Sequence, residues 1–344
     1  MLGKVCSFCG IVSTGNDPNK GGQKMEKFGI KLFTGLLVCT LLMAGAAAAV
    51  PERLIPGGNT IGLELQLGGV SVVELANDLP GKVGLRCGDL ICSINGNPIS
   101  SVEDLRKTVQ DSQGKTLTLS ILRKGEEKTV KLSPFQTAEG WKLGVYVKDR
   151  LTGIGTVTYY EEDGDFGALG HGVSGGDSSA LLPLQGGNVL PSEVAAVTKG
   201  ECGAPGCLQG AWKKGQTGGT VSRNTPQGIF GNMTPAGREP IPVGGSRSVH
   251  KGAAEIRSTV RGTEVKTYTV EICEIYETQS HDRNLLIRVT DPDLLSATGG
   301  IVQGMSGSPI IQDGKLIGAV THVLVDDPTM GYGIFIENML DAAG

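Results

Sequence analysis

The residues best suited to chemistry converge on Gly304-Met-Ser-Gly-Ser-Pro309. They lie in the run Gly299-Gly-Ile-Val-Gln-Gly-Met-Ser-Gly-Ser-Pro-Ile-Ile-Gln-Asp-Gly-Lys-Leu-Ile-Gly-Ala-Val320, which reads as loop, strand, turn, strand. Asp313-Gly314 between two apolar segments is a hairpin signal, so Ser306 falls in a glycine-bounded turn just ahead of a core hairpin. A serine in that setting suits nucleophilic acyl transfer. Attack on a carbonyl builds an oxyanion, which must be met by backbone N–H groups already aimed at it, here those of Gly304 and Ser306. Flanking glycines allow the dihedrals and the close approach of substrate. Taken alone, a Gly-x-Ser-Gly is also an ordinary turn.

A nucleophilic serine needs a base. Of four histidines, His171 sits in the glycine-flanked, accessible loop Phe166-Gly-Ala-Leu-Gly-His-Gly-Val, where a general base belongs. His322 follows the core strand Ala319-Val-Thr and reads as packed or near a substrate pocket, whereas His250 and His281 lie in polar loops and read as solvated. Asp291 precedes Pro292, a pattern that on local grounds also describes a structural Asx turn.

These loops need strands to hold them. The chain has 344 residues, 54 of them Gly, with only 4% aromatics and many short Val/Ile/Thr runs, which favours turn-rich, mainly β structure in two domains. A net charge of −4 without a Lys/Arg cluster gives no surface for nucleic acid. No cluster of metal ligands stands out, and the expected chemistry requires no cofactor. Cys6-x-x-Cys9 has no second ligand pair at finger spacing and is assigned no role. Cys202 and Cys207 could close a small disulfide loop or remain free thiols.

From Gly62 to Leu132 short apolar runs alternate with turns, and period-two alternation in Leu117-Thr-Leu-Ser-Ile-Leu and Lys128-Thr-Val-Lys-Leu predicts half-buried strands joined at Arg123-Lys-Gly-Glu. Ser101, with Asp104 three residues on, opens a helix that carries Val102, Leu105 and Val109 on one face. Through Gly88-Asp-Leu-Ile-Cys-Ser-Ile-Asn-Gly-Asn-Pro-Ile99 this region resembles a PDZ domain in the circular arrangement of bacterial proteases. The resemblance implies that Thr60, Ile61, Gly62 and Leu63 form a carboxylate-binding loop beside an edge that accepts a peptide strand.

Gly304-Met-Ser-Gly-Ser-Pro309 resembles the Gly-Asp-Ser-Gly-Gly-Pro signature of chymotrypsin-like proteases, with Met305 for the acid and Ser308 for the second glycine. Activation through a newly cut amino terminus paired with that acid is therefore not expected. Residues from about 55 to 344 resemble the SpoIVB peptidase family of endospore formers in Leu169-Gly-His-Gly, Thr290-Asp, the Ser306 segment, Gly318-Ala-Val-Thr-His-Val and Gly331-Tyr-Gly-Ile-Phe-Ile-Glu. The resemblance implies a catalytic His171, Asp291 and Ser306 in a chymotrypsin-like double β-barrel over 140–344, following a PDZ domain over 55–135. It also implies an enzyme exported across the forespore membrane into the intermembrane space, where it cuts a regulatory membrane protein and its own N-terminal region and so activates a late mother-cell sigma factor. A PDZ adaptor with an inactive protease-like domain is disfavoured by the presence of all three residues. An HtrA-type quality-control protease is disfavoured by the domain order.

Lys27 and Lys31 precede the apolar run Leu32–Val50, which ends in Ala46-Ala-Ala-Ala49. Residues 25–50 thus read as an export signal, cleaved or retained as a membrane anchor, since about 20 residues cross the hydrocarbon core. Residues 1–24 carry no such pattern and are expected to be a non-native or disordered extension, with Met25 as the start.

Overall fold

The computed structural model describes residues 51–174, 181–212, 215–277 and 282–344. The expected N-terminal extension and export segment, and His281, lie outside these residues. The chain begins with β1 (Arg53–Pro56) and the 16-residue β2 (Thr60–Leu75). A small module follows: α1 (Asp78–Lys82), β3 (Leu90–Ile94), β4 (Asn97–Pro98), α2 (Val102–Asp111), β5 (Leu117–Arg123) and β6 (Glu126–Leu132). The hairpin β7 (Phe135–Thr137) and β8 (Gly140–Lys142) leads into a second 16-residue strand, β9 (Val145–Tyr160).

The module is built as its local signals require. Ser101 caps α2 by accepting from Asp104 N at 3.0 Å. Asn95 and Gly96, and Lys124 and Gly125, all have positive φ, the geometry of tight hairpin turns. The apolar faces of the strands and of α2 meet in one core that includes Val72, Ile91, Leu105, Leu119 and Ile121. Asp89, fully buried, accepts from Arg123 Nε at 2.6 Å and from Arg86 N at 2.8 Å, tying the strand start to the far hairpin. Asp89→Ala should therefore cost the module about 1.5–3 kcal/mol, because Arg86 N and the Arg123 guanidinium lose a charged acceptor while Arg123 keeps its bond to Gly84 O at 2.6 Å. A thermal unfolding midpoint within a degree of the parent would contradict this.

The other strands are β10 (Asp165–Ala168), β11 (Leu184–Thr198), β12 (Cys207–Trp212), β13 (Gly219–Thr225) and β14 (Gly228–Met233), then β15 (Ile241–Pro242) and β16 (Gly252–Ser258). After these come β17 (Lys266–Ile275), β18 (Leu285–Val289), α3 (Pro292–Thr298), β19 (Pro309–Gln312), β20 (Lys315–Leu324), β21 (Asp327–Phe335) and α4 (Ile336–Ala343). Two six-stranded antiparallel barrels result. The first closes in the order β2-β9-β10-β14-β13-β11 and the second in the order β16-β17-β18-β21-β20-β19. Between them α4 buries Ile336, Met339 and Leu340 against Leu54 of β1, Tyr159 and Phe230 of the first barrel and Leu316 of the second.

The domain boundary differs from a simple 55–135 and 140–344 division. Thr60–Gln66 of β2 pairs with Arg150–Thr156 of β9 inside the first barrel, and only Ser71–Leu75, paired with Val145–Lys148, belongs to the small module. The module is thus inserted at the far end of the β2–β9 ladder, and the first barrel draws its opening strand from the chain ahead of it. Thr60, Ile61, Gly62 and Leu63 accordingly do not form a carboxylate-binding loop. They are the first four residues of β2, buried, with β9 on one side and Leu63–Ile61 paired to Val189–Pro191 of β11 on the other. A strand with both edges taken has no N–H row left to offer a peptide.

Candidate active site

Ser306 stands on the loop between α3 and β19, and buried hydroxyls of β9 set the shape of that loop. Thr156 N donates to Ser306 O at 3.0 Å, Thr156 Oγ1 to Gly304 O at 2.8 Å and Thr158 Oγ1 to Gly307 O at 2.8 Å. Gly307 N in turn donates to Val320 O at 2.7 Å. Gly307 has φ +96°, and a Cβ there would fall 2.0 Å from the Thr156 carbonyl oxygen, so only glycine fits between the loop and the strand. Met305, at the position where chymotrypsin-like proteases carry an acid, is fully buried and anchors the loop in the second barrel's core. Among the described residues, the amides of Gly304 and Ser306 donate to no protein acceptor. They remain available to an oxyanion.

Thr156 and Thr158 went unmarked in the sequence. The available signal was two threonines two apart in Gly-Thr-Val-Thr-Tyr-Tyr, hence on one face of a strand otherwise made for burial.

His171 follows β10, after a tight bend in which Leu169 and Gly170 both have φ +68°. Thr321 adjoins both parts of the site. Its carbonyl accepts the Ser306 hydroxyl at 2.7 Å, and its Cγ2 lies 2.9 Å from where a Cβ on Gly170 would be. His171 Nδ1 lies 3.0 Å from Gly172 O. A carbonyl can only accept, so Nδ1 carries the proton and Nε2 presents the lone pair, which is the tautomer a general base needs. Burial lowers the His171 pKa below the ordinary imidazole value, against smaller upward pulls from the Gly172 carbonyl and the Asp282 charge. The ring is therefore neutral at pH 7.

His322 lies with its ring centroid 5.0 Å from that of His171. Burial first, and the neighbouring His171 next, push its pKa down to about 4, and its Nδ1 is buried without a partner among the described residues. Of the two readings open for His322, the structure supports the place near the reactive residues. His250 is exposed and pairs with Asp313 at 2.9 Å on the surface. Cys202 and Cys207 are both free thiols.

Asp291 is not brought to His171. Its Oδ1 accepts from Asp293 N and Leu294 N at 3.0 Å each, capping α3, and its Oδ2 accepts from Thr269 N at 3.3 Å. It also lies at the opposite end of β18 from Asp282, whose charge does reach both imidazoles. Five strand residues separate those ends by roughly 17 Å. The acid role expected for Asp291 is thus corrected to a helix cap, the local reading of Asp-Pro. Asp291→Asn, an equally good cap, should keep activity within about twofold, and Asp291→Ala should lower stability by about 1 kcal/mol. Loss of turnover in a stably folded Asp291→Asn variant would contradict this assignment.

The SpoIVB peptidase S55 family signature matches residues 139–340, more than half of the chain. The chain belongs to the SpoIVB peptidase family. A PDZ domain signature matches residues 58–133, ahead of the S55 region. Among relatives, the periplasmic serine endoprotease DegP of Escherichia coli K12 is 31% identical over 129 residues, 37% of this chain and 27% of that protein. The chain thus spans about a quarter of the length of the curated relatives it matches. Among solved structures, the Rv3671c protease from M. tuberculosis in its active form shares 16% identity, covering 56% of this chain and 75% of that one, at a TM-score of 0.31. The PDZ domain of the SdrC-like protein from Listeria monocytogenes shares 22% identity over 23% of this chain and 87% of its own, at a TM-score of 0.22. Within the S55 family match fall His171, Ser306 and both barrel segments that adjoin them.

Proposed function

We propose that this S55 family member is a serine endopeptidase in which Ser306 attacks the scissile carbonyl, His171 Nε2 takes its proton, and the Gly304 and Ser306 amides receive the oxyanion. The observation that carries the reading is His171: a half-buried, neutral imidazole held as its Nδ1–H tautomer by a backbone carbonyl, next to the loop that bears a glycine-bounded serine. The Gly172 carbonyl performs the tautomer-fixing part of a triad acid's work. In the resting arrangement the Ser306 hydroxyl donates to Thr321 O, a bond it must give up before it can hand its proton to His171.

The sign of the pH dependence follows. Protonating His171 removes the base, and its pKa is lowered from the usual 6.5. The acid limb of kcat/KM should therefore be centred below 6.5. An acid limb centred at or above 6.5 would contradict a partly desolvated neutral base.

By its family the enzyme works during sporulation, exported through residues 25–50 into the space between the forespore and mother-cell membranes. There it cuts a regulatory membrane protein and its own N-terminal region, activating a late mother-cell sigma factor. No cofactor takes part in this chemistry. The test is an allelic exchange in the endospore-forming host: a Ser306→Ala allele should leave forespores formed but late mother-cell gene expression silent. Normal spore yield from that allele, with the variant present at parental levels, would overturn the sporulation role.

A further inference from the structure

Beside Ser306 and His171 stands a third side chain whose hydrogen-bonding capacity is unspent. His322 lies on β20, where the pairing with β21 slips register between Val320 and His322. Such bulges re-aim side chains. The extra residue, Thr321, is buried, with its carbonyl turned to the Ser306 hydroxyl at 2.7 Å and its Oγ1 donating to Asp282 O at 2.8 Å. His322 comes next, half-buried like Ser306 and His171, with its ring centroid 5.0 Å from that of His171 and the two planes tilted by 35°.

His322 is not a relay for the base. His171 Nδ1 is engaged by Gly172 O, and no hydrogen bond joins the two rings. Among the described residues His322 Nδ1 is enclosed without a partner, while Nε2 makes no hydrogen bond either and is not enclosed. A buried orphan N–H is rarer than a buried orphan acceptor, which puts the lone pair on Nδ1 and the proton on Nε2. The outcome is an outward N–H next to the nucleophile, with no described residue to receive it.

The charges around it offset one another. His322 is neutral at pH 7, its pKa pushed down to about 4 by burial first and His171 next, while Asp282 pulls it up and Arg283 pushes it down. Arg283 itself lies over the Tyr332 ring, 5.3 Å from the centroid. A carboxylate arriving here would be desolvated without gaining a net positive partner, whereas a carboxamide oxygen accepts an N–H without needing one.

We propose that the His322 Nε2–H is a specificity-determining group of the peptidase, selecting substrates whose scissile carbonyl belongs to glutamine or asparagine. The inference rests on reading Ser306 and His171 as nucleophile and base. The acyl carbon must come within bonding reach of Ser306 Oγ, and the carbonyl that meets this oxygen belongs to the residue just before His322, so the side chain adjoining the acyl carbon falls within reach of the imidazole. An apolar side chain of equal size would cover the N–H and leave it unpaired. A site built to bond a polar group rejects such an analogue strongly.

The test is cleavage of a peptide mixture randomised at its central positions, with every cut mapped by mass spectrometry. The parent chain should cut after Gln or Asn at least 10-fold more often than after Leu or Met, which are similar in size. His322→Phe keeps a ring against His171 and removes the donor, so the preference should shrink to within about twofold. A flat preference in the parent, Glu chosen ahead of Gln, or a preference that survives in folded His322→Phe would overturn the proposal. A role confined to holding His171 would lower all cuts together and leave their ratio unmoved.

A second arm needs no turnover and covers a variant that fails to fold. In folded Ser306→Ala the His322 ring nitrogens, followed by NMR, should shift on addition of acetyl-Ala-Ala-Gln-Ala-amide and not of its Met counterpart. Equal responses to the two peptides would overturn the proposal. A parent chain that neither cuts the mixture nor reacts with a fluorophosphonate would count against the catalytic reading, and the NMR arm would still decide this one.

Discussion

Ser306→Ala and His171→Ala should each reduce peptide cleavage by about 10⁴-fold or more, because members of a nucleophile–base pair act as a unit and either loss removes most of the acceleration. The serine change deletes the attacking oxygen. The histidine change deletes the Nε2 lone pair that the Gly172 carbonyl fixes in place. Neither should cost the fold much. Among the described residues, Ser306 makes one side-chain hydrogen bond, to Thr321 O, and His171 one, to Gly172 O. The check is steady-state cleavage of an unstructured peptide, with thermal melts to show that each variant is folded. Turnover within 100-fold of the parent in a folded Ser306→Ala protein would remove that residue from the chemistry.

Deleting residues 55–135 should leave no folded peptidase, even though His171, Ser306 and the Gly304 amide are all retained. The deletion takes the whole of β2, and with it the strand that closes the first barrel between β9 and β11. The barrel core would lose Ile61, Leu63 and Leu65, each nearly fully buried, which at about 1.5–3 kcal/mol per side chain approaches the stability of an ordinary domain. The exposed edges of β9 and β11 would add an aggregation hazard. The expected readouts are loss of the cooperative melt and loss of fluorophosphonate labelling. A soluble, labelled remnant would show that the first barrel does not need Thr60–Leu67.

The contrast between those variants reflects what the sequence can and cannot express. Local chemistry was legible. Asn95-Gly96 and Asp313-Gly314 take the positive φ that their residue types favour, Gly125 does the same after Lys124, and Ser101 caps its helix. The mainly β architecture was legible in the same short, turn-bounded runs, whereas the PDZ module and the two barrels were implied by the resemblances that Gly88–Ile99 and the Ser306 segment carry.

What was not legible depends on partners distant in sequence. Nothing in Thr60-Ile-Gly-Leu63 tells whether its neighbours are a peptide or strands some 90 and 130 residues away, because a buried strand reads the same in either setting. Asp291 shows the opposite failure. The local pattern Asp-Pro ahead of a short apolar helix described its cap correctly, and the order of His, Asp and Ser along the chain suggested a triad that the fold does not assemble. Thr156 and Thr158 escaped notice because a hydroxyl inside a strand looks like β-propensity until its acceptor is known.

The central claim, that Ser306 is a nucleophile activated by a neutral His171, is tested most directly by reacting the purified chain with a fluorophosphonate probe and mapping the adduct by mass spectrometry. The account predicts a single adduct on Ser306, absent from Ser306→Ala and strongly slowed in His171→Ala. An adduct on another serine, or labelling of Ser306 at the parental rate in folded His171→Ala, would contradict it.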